Sequence, residues 1–304
     1  MRRKIIGTII FLASAALAVG QTPNFEGIWN NSTLTPMERP AEFASTPVLT
    51  PQEAAAFAKR TIDNNNTDHR PTDAETDVVQ GYNNFWWDRG TGLASGRTSL
   101  IIDPPDGRIP LLTAEARKRQ EEARAHAAEH PADGPEDRSL AERCLTRGLP
   151  ILPGGYNNNV QIVQTPEYLT ILVETMHDVR IIPIVPKNAS TRPHLASGIR
   201  QWLGDSRAHW EGQTLVIDTT NFSAKTNFRG SGAALHLTER LTLKDRNTLD
   251  YTFTVDDPST FTKPWTASLP MASAEGPIFE YACNEGNYSM MNTLTGARAE
   301  EASH

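Results

Sequence analysis

The sequence predicts an α+β chain that is mainly β. Its centre is an antiparallel sheet, closed into a barrel or strongly curved, with N-terminal helices and loops wrapped around it. Three observations predict this. From Val160 onward, apolar and polar residues alternate with period two over several short runs, the pattern of half-buried strands. Turn formers such as Asp245-Arg246-Asn247 and Asp256-Asp257-Pro258-Ser259 separate those runs, as hairpin connections require. Before residue 150 the chain reads instead as two polar helices, loops rich in Asn, Asp and Pro, and one short hairpin.

The N-terminus reads as a secretory leader. Arg2-Arg3-Lys4 precedes the apolar run Ile5 to Val19, and Ala16-Leu17-Ala18 offers a small-x-small cleavage site, so cleavage is expected near Ala18 to Gly20. The run is short for a span of about 20 residues, and no cysteine follows it to carry a lipid. Residues 21–304 then form a single β-rich domain, with 21–150 as the wrap and 151–296 as the main sheet. The mature chain is expected to be secreted or periplasmic and free of the membrane. Without the leader, 26 basic residues face 36 acidic ones, a net charge of −10. That balance excludes nucleic acid and anionic membrane as partners. The chain's two cysteines, Cys144 and Cys283, are expected to pair in an oxidising compartment. They cannot form a CxxC redox centre, and alone they cannot close a structural zinc site.

The elements follow in order. Asn24-Phe25-Glu26-Gly27-Ile28-Trp29 resembles the Asn-x-x-Gly-x-Trp opening of lipocalins and related calycin barrels. The resemblance implies a calycin-like barrel whose closed end is plugged by Trp29, packed on an arginine. Thr50-Pro51-Gln52-Glu53 has the N-cap, N1 proline and N3 glutamate of a helix start, and alanines carry that helix to about Arg60. Residues 61–80 read as loop. Gly81-Tyr82-Asn83-Asn84-Phe85-Trp86-Trp87 places adjacent aromatics in a polar setting, either a pocket wall or core under a loop. Arg97 to Asp103 and Arg108 to Leu112 read as strands joined by Pro104-Pro105-Asp106-Gly107. Thr113 caps a polar helix reaching about His130. Its His126 and His130 stand at i, i+4 but lack the acidic partner of an HExxH site. Asp137 to Cys144 reads as a short helix, and Gly154 to Asn159, with Tyr156, as a loop.

The strands of the main sheet are expected at Val160 to Gln164, Tyr168 to Met176, Val179 to Val185, Leu235 to Lys244, Thr248 to Asp256, Phe261 to Leu269 and Ile278 to Cys283. Between them lies a polar hairpin: Asp205 to Trp210, the turn Glu211-Gly212-Gln213, and Thr214 to Thr219. Residues from about Ala297 are expected to fray.

Strand phase points to charges inside the sheet. Glu239 falls in one row with Leu235, Leu237, Leu241 and Leu243, and Lys263 lies between Phe261 and Trp265. A buried isolated charge costs several kcal/mol, roughly, so each is expected to pair with the other or with an inward arginine. Buried ionisable groups are also candidate functional groups. The hairpin adds Arg207 and His209, which alternation puts on one face. The residue types of a hydrolytic triad are present in Ser206, His209 and a nearby acid. Yet Ser206 lies in no Gly-x-Ser-x-Gly elbow and faces away from His209. His177, His194 and His209 with Asp205 offer metal-ligand types at no diagnostic spacing, so no metal is assigned. No glycine-rich phosphate loop or dinucleotide fingerprint occurs, so no cofactor is assigned.

Arg200-Gln201-Trp202-x-Gly204-Asp205-Ser206-Arg207-x-x-Trp210-Glu211-Gly212-x-Thr214-Leu215, ending in Thr219-Thr220-Asn221-Phe222, resembles the signature of a family of uncharacterised secreted bacterial proteins. The likeness extends to Asn31-x-x-Leu34-Thr35-Pro36, Asp103 to Arg108, Tyr156 to Asn159 and Lys263-Pro264-Trp265. It implies secretion and a β-rich fold but no reaction. Two functional classes remain. In the first, a barrel pocket walled by Trp86, Trp87, Tyr156, Trp202, Trp210 and Trp265 holds a small apolar or aromatic ligand, with Arg207 or Lys263 on its acidic group. In the second, a cofactor-free lyase, hydratase or isomerase uses Glu239 as acid/base beside Lys263, Arg207 or His209.

Overall fold

The computed structural model describes residues 22–75, 77, 82–186, 192–226 and 228–303. The expected leader at 1–20 and Gly81 lie outside them. The fold is one antiparallel sheet curved into a nearly closed barrel. Its strands are β1 (Gly27–Asn30), β2 (Ile101–Asp103), β3 (Asn159–Gln164), β4 (Tyr168–Val173), β5 (Asp178–Pro183), β6 (Asp205–Glu211), β7 (Thr214–Thr220), β8 (His236–Asp245), β9 (Thr248–Asp256) and β10 (Trp265–Ala274). The path around the barrel is β5-β4-β3-β1-β10-β9-β8-β7-β6, with β2 pairing β10 off that path. Two meanders, β3 to β5 and β6 to β10, are thus joined by the first strand, which inserts between β3 and β10.

The order has a geometric consequence. Successive neighbours on this path run antiparallel. With nine strands, the first and last must therefore run the same way. β5 and β6 do meet in parallel, and only at one bridge, Ile184↔Ala208, with Val185 N–H donating to Ala208 O at 2.7 Å. The rest of that seam has no ladder.

Alternation decides what fills the interior. β9 buries Leu249, Tyr251, Phe253 and Val255 and leaves the residues between them half-buried. Trp265 is fully buried, its ring 5.8 Å from Phe253 and 6.0 Å from Phe261 and Phe228. Each such side chain contributes about 1.5–3 kcal/mol by leaving water. The barrel centre is therefore packed rather than hollow. Trp29 is buried, but its indole N–H donates to Phe25 O at 2.9 Å. The arginine stacked on a tryptophan is Arg89, over Trp87.

Helix α1 (Pro51–Asn64) begins with the expected capping box between Thr50 and Glu53, and α2 (Ala114–Glu129) begins at Thr113. No helix among the described residues is long and apolar enough to cross a membrane. Cys144 and Cys283 form a disulfide spanning 139 residues.

Several expected elements differ. Residues 278–283 form no strand, so the disulfide ties the wrap to the irregular segment after β10. A helix, α3 (Tyr288–Glu301), occupies the end expected to fray; Asn287 caps it and Arg298 binds Asp133 O and Ala132 O. Asp137 ends a single 3-10 turn and residues 140–144 form turns leading to the disulfide, and Leu112 makes only a bridge to Phe261. β4 stops at Val173, because Met176 and His177 take positive φ and turn the chain. β10 begins at Trp265, four residues later than expected. Pro264 has no N–H to give a ladder, so pairing with β9 starts at Trp265↔Val255.

Candidate functional site

Glu239 is fully buried in the barrel, as its row in β8 requires, and its partner is Arg180 on β5. Arg180 Nη1 donates to Oε1 at 3.0 Å and Nη2 to Oε2 at 2.6 Å, a bidentate pair. Nη2 also reaches Ser206 Oγ at 2.8 Å and Thr219 Oγ1 at 3.1 Å. Tyr251 O–H donates to Glu239 Oε1 at 2.8 Å and accepts from Ile151 N–H. Burial, then the neighbouring Glu239 charge, push the Tyr251 phenol well above its ordinary value, so it remains a donor to the carboxylate. This network crosses the seam from β5 to β6, β7 and β8.

Sequence reasoning asked for an inward arginine but did not find Arg180. In Val179-Arg180-Ile181-Ile182, apolar residues occupy both faces, so alternation alone does not choose. The structure exposes Val179 and Ile181 and buries Arg180 and Ile182. The usable signal was parity with Ile182 and Ile184.

The four proposed acid/base residues do not meet, which corrects the expectation of a shared cavity. Lys263 is exposed in the bend before β10, because Pro264 breaks the strand that would have turned it inward. His209 points outward and touches Glu211 at 3.2 Å. Arg207 lies at the seam, its Nη1 2.6 Å from Asp205 Oδ1. Ser206 is buried under Arg180, on the face away from His209.

The aromatic candidates also separate. Trp265 is core. Trp86 stands out in solvent against Phe85. Trp87 packs against Arg89 and Tyr156, and Tyr156 stacks on Tyr281 at 6.2 Å, all in irregular segments away from the seam. Trp210 stacks on Phe25 at 5.5 Å. Trp202 borders the open part of the seam beside Arg207.

There the open part of the seam forms a cleft of about 540 Å³ between β5 and a strap, residues 192–204, leading into β6. Val179, Ile181 and Pro183 form one wall; Arg200, Trp202 and Arg207 form the other, with buried Arg180 and Ser206 at the floor. Arg200 Nη1 donates to Phe222 O and Ala233 O, and the residue makes no ion pair with a carboxylate among the described residues. The strap folds back because Gly204 takes φ +67°, where a Cβ would lie 2.6 Å from Thr220 O.

A polar clamp holds the strap. His194 Nδ1 lies 3.0 Å from Asp205 Oδ2 and its Nε2 2.7 Å from Asp218 Oδ1. His236 Nε2 meets the other oxygen of Asp218, and Leu195 N–H donates to Asp205 Oδ2. Burial pushes the Asp205 and Asp218 carboxyls up, but hydrogen bonds from Leu195, His194 and Arg207, and from His236 and His194, leave both below the usual range. The Asp218 hydrogen bond raises His236. His177 and His209 lie elsewhere, so the metal-ligand types weighed with His194 and Asp205 do not assemble. Among the described residues, no three His, Cys, Asp or Glu side chains are arranged to hold a metal ion.

Comparison of the chain with family models, with curated proteins and with solved structures found no match.

Proposed function

We propose that the protein acts outside the cytoplasm and binds a small apolar or aromatic acid in the seam cleft. One observation carries this reading: a cleft of about 540 Å³, within the size of small-ligand sites, joins exposed Val179, Ile181 and Trp202 to Arg200, which makes no ion pair among the described residues, the cleft's Asp205 being paired with Arg207. An apolar body fits the β5 wall and an acidic group fits Arg200 and Arg207. The leader-like N-terminus and the Cys144–Cys283 disulfide support an oxidising location. We further propose membership in the secreted family that the signature resembles; Arg200 to Trp202 and Gly204 to Arg207 of that signature line this cleft. Glu239 serves here by holding Arg180, since both its oxygens are occupied.

The test is a calorimetric titration with a panel of aromatic and alicyclic monocarboxylates, alongside tryptophan emission in wild type and Trp202→Phe. Saturable binding that Arg200→Gln weakens about tenfold or more, the loss of one charge-assisted bond, supports the reading. Binding that persists for the neutral amides and ignores Arg200→Gln refutes it, as does a panel with no binder.

A further inference from the structure

A second, smaller space lies at the barrel end where the chain after β1, the start of β5 and the loop at 147–152 converge. It is a largely enclosed chamber of about 110 Å³. Two of its lining residues carry buried polar atoms with no partner: Asn31 Oδ1, in a residue 2 % exposed, and Arg180 Nε, in one 5 % exposed. An unpaired buried group costs about 1–3 kcal/mol, more when charged, and native structures seldom leave one empty-handed. One atom is an acceptor and the other a donor, so an occupant needs both functions.

Charge narrows the choice. Arg147 also lines the chamber and makes no ion pair among the described residues. The Arg180 charge is matched by Glu239. Asp178 is the chamber's one carboxylate; its Oδ2 accepts from Thr146 Oγ1 and Arg147 N–H, and burial pushes it up. Outside, the chamber shares Arg147, Gly148, Leu149 and Phe228 with a hollow of about 790 Å³. That hollow adds Arg143 and Lys225, neither paired with a carboxylate among the described residues, together with Arg138 and Glu136. In a chain of net charge −7, three unmatched cations around one opening form a local attraction for anions.

We propose that this chamber binds a short hydroxy-carboxylate, its carboxylate on Arg180 Nε and Arg147 and its hydroxyl donating to Asn31 Oδ1. Size agrees: an apolar cavity of about 150 Å³ accepts benzene, so a chamber of about 110 Å³ suits an anion of about five heavy atoms. The hollow at Arg143 and Lys225 is its approach. The site is separate from the seam cleft, although Arg180 and Leu203 line both.

Glycolate and acetate are the probes, differing by the hydroxyl, titrated calorimetrically into the full-length folded protein. Glycolate is expected to bind about tenfold tighter than acetate, the equivalent of one hydrogen bond of about 1.4 kcal/mol. Asn31→Leu should erase that preference, and Arg147→Gln should weaken both anions. Arg147 is exposed, so its variant tests the site even if Asn31→Leu fails to fold. Arg200→Gln should leave glycolate binding unchanged while impairing the cleft, so each reading fails independently. Absence of glycolate binding, equal affinity for acetate, or loss of binding in Arg200→Gln overturns the proposal. So does a crystal structure in glycolate whose chamber holds water alone.

Discussion

Replacing Glu239 by Gln tests the buried network directly. Arg180 donates to both Glu239 oxygens, at 3.0 and 2.6 Å, and Tyr251 donates to one of them. The substitution turns one acceptor into an NH2 group facing donors. One or two charge-assisted hydrogen bonds are lost, at about 1.5–3 kcal/mol each. The guanidinium keeps Ser206 and Thr219 but no counter-charge. Removing one member of such a pair costs about 3–5 kcal/mol, and the expected loss lies in that range. In a domain of this size that lowers the melting point on the order of 10 °C. Equilibrium urea unfolding with the disulfide intact measures it. The double variant Arg180→Met/Glu239→Leu leaves no unpaired charge and should cost less than the sum of its single changes. A Glu239→Gln protein within about 1 kcal/mol of wild type, or strictly additive single changes, would refute a desolvated pair.

Other outcomes follow from the same geometry. Gly204→Ala forces a side chain into φ +67° and a Cβ against Thr220 O and Thr219 Cγ2, so it should destabilise by at least about 1–3 kcal/mol in urea unfolding and impair ligand binding in the cleft. Cys144→Ser/Cys283→Ser opens a loop of 139 residues and should lower stability by up to about 5 kcal/mol, measured against the oxidised protein. The strap clamp should depend on pH. His236 is raised above 6.5, so its contribution is complete below that value and disappears as pH rises through the folded-state pKa. Asp205 and Asp218 are depressed below 3.8, so theirs holds above it and fails as pH falls through their folded-state values. Melting scans from about pH 6 to about pH 9 should show a loss that His236→Asn removes; an identical slope in the variant sinks the clamp.

Much of the barrel was legible because strand signals are local. The clean alternation of Leu249, Tyr251, Phe253 and Val255 matches the buried face of β9, and Glu239 was assigned inward from its row alone. The hairpin at Asp205 was legible from its turn and alternating strands. Lys263 was misassigned because the apolar spacing of Phe261 and Trp265 imitates a strand across Pro264. The cleft was not legible as a place. Trp202 and Arg207 were candidates, but Arg200's role and the facing wall of Val179 and Ile181 depend on how β5 meets the strap.

The sequence by itself determined most of the main-sheet strands, most helix starts, the inward Glu239 and the two cysteines available to pair, because each follows from periodicity, capping chemistry or count. Only the tertiary structure decided that β1 joins the two meanders, that Arg180 answers Glu239, and that the seam stays open between β5 and β6. Those outcomes depend on contacts between residues distant in sequence, 59 positions apart for Arg180 and Glu239, and on the parity of a nine-strand circuit. Neither quantity is visible in any local window of the chain.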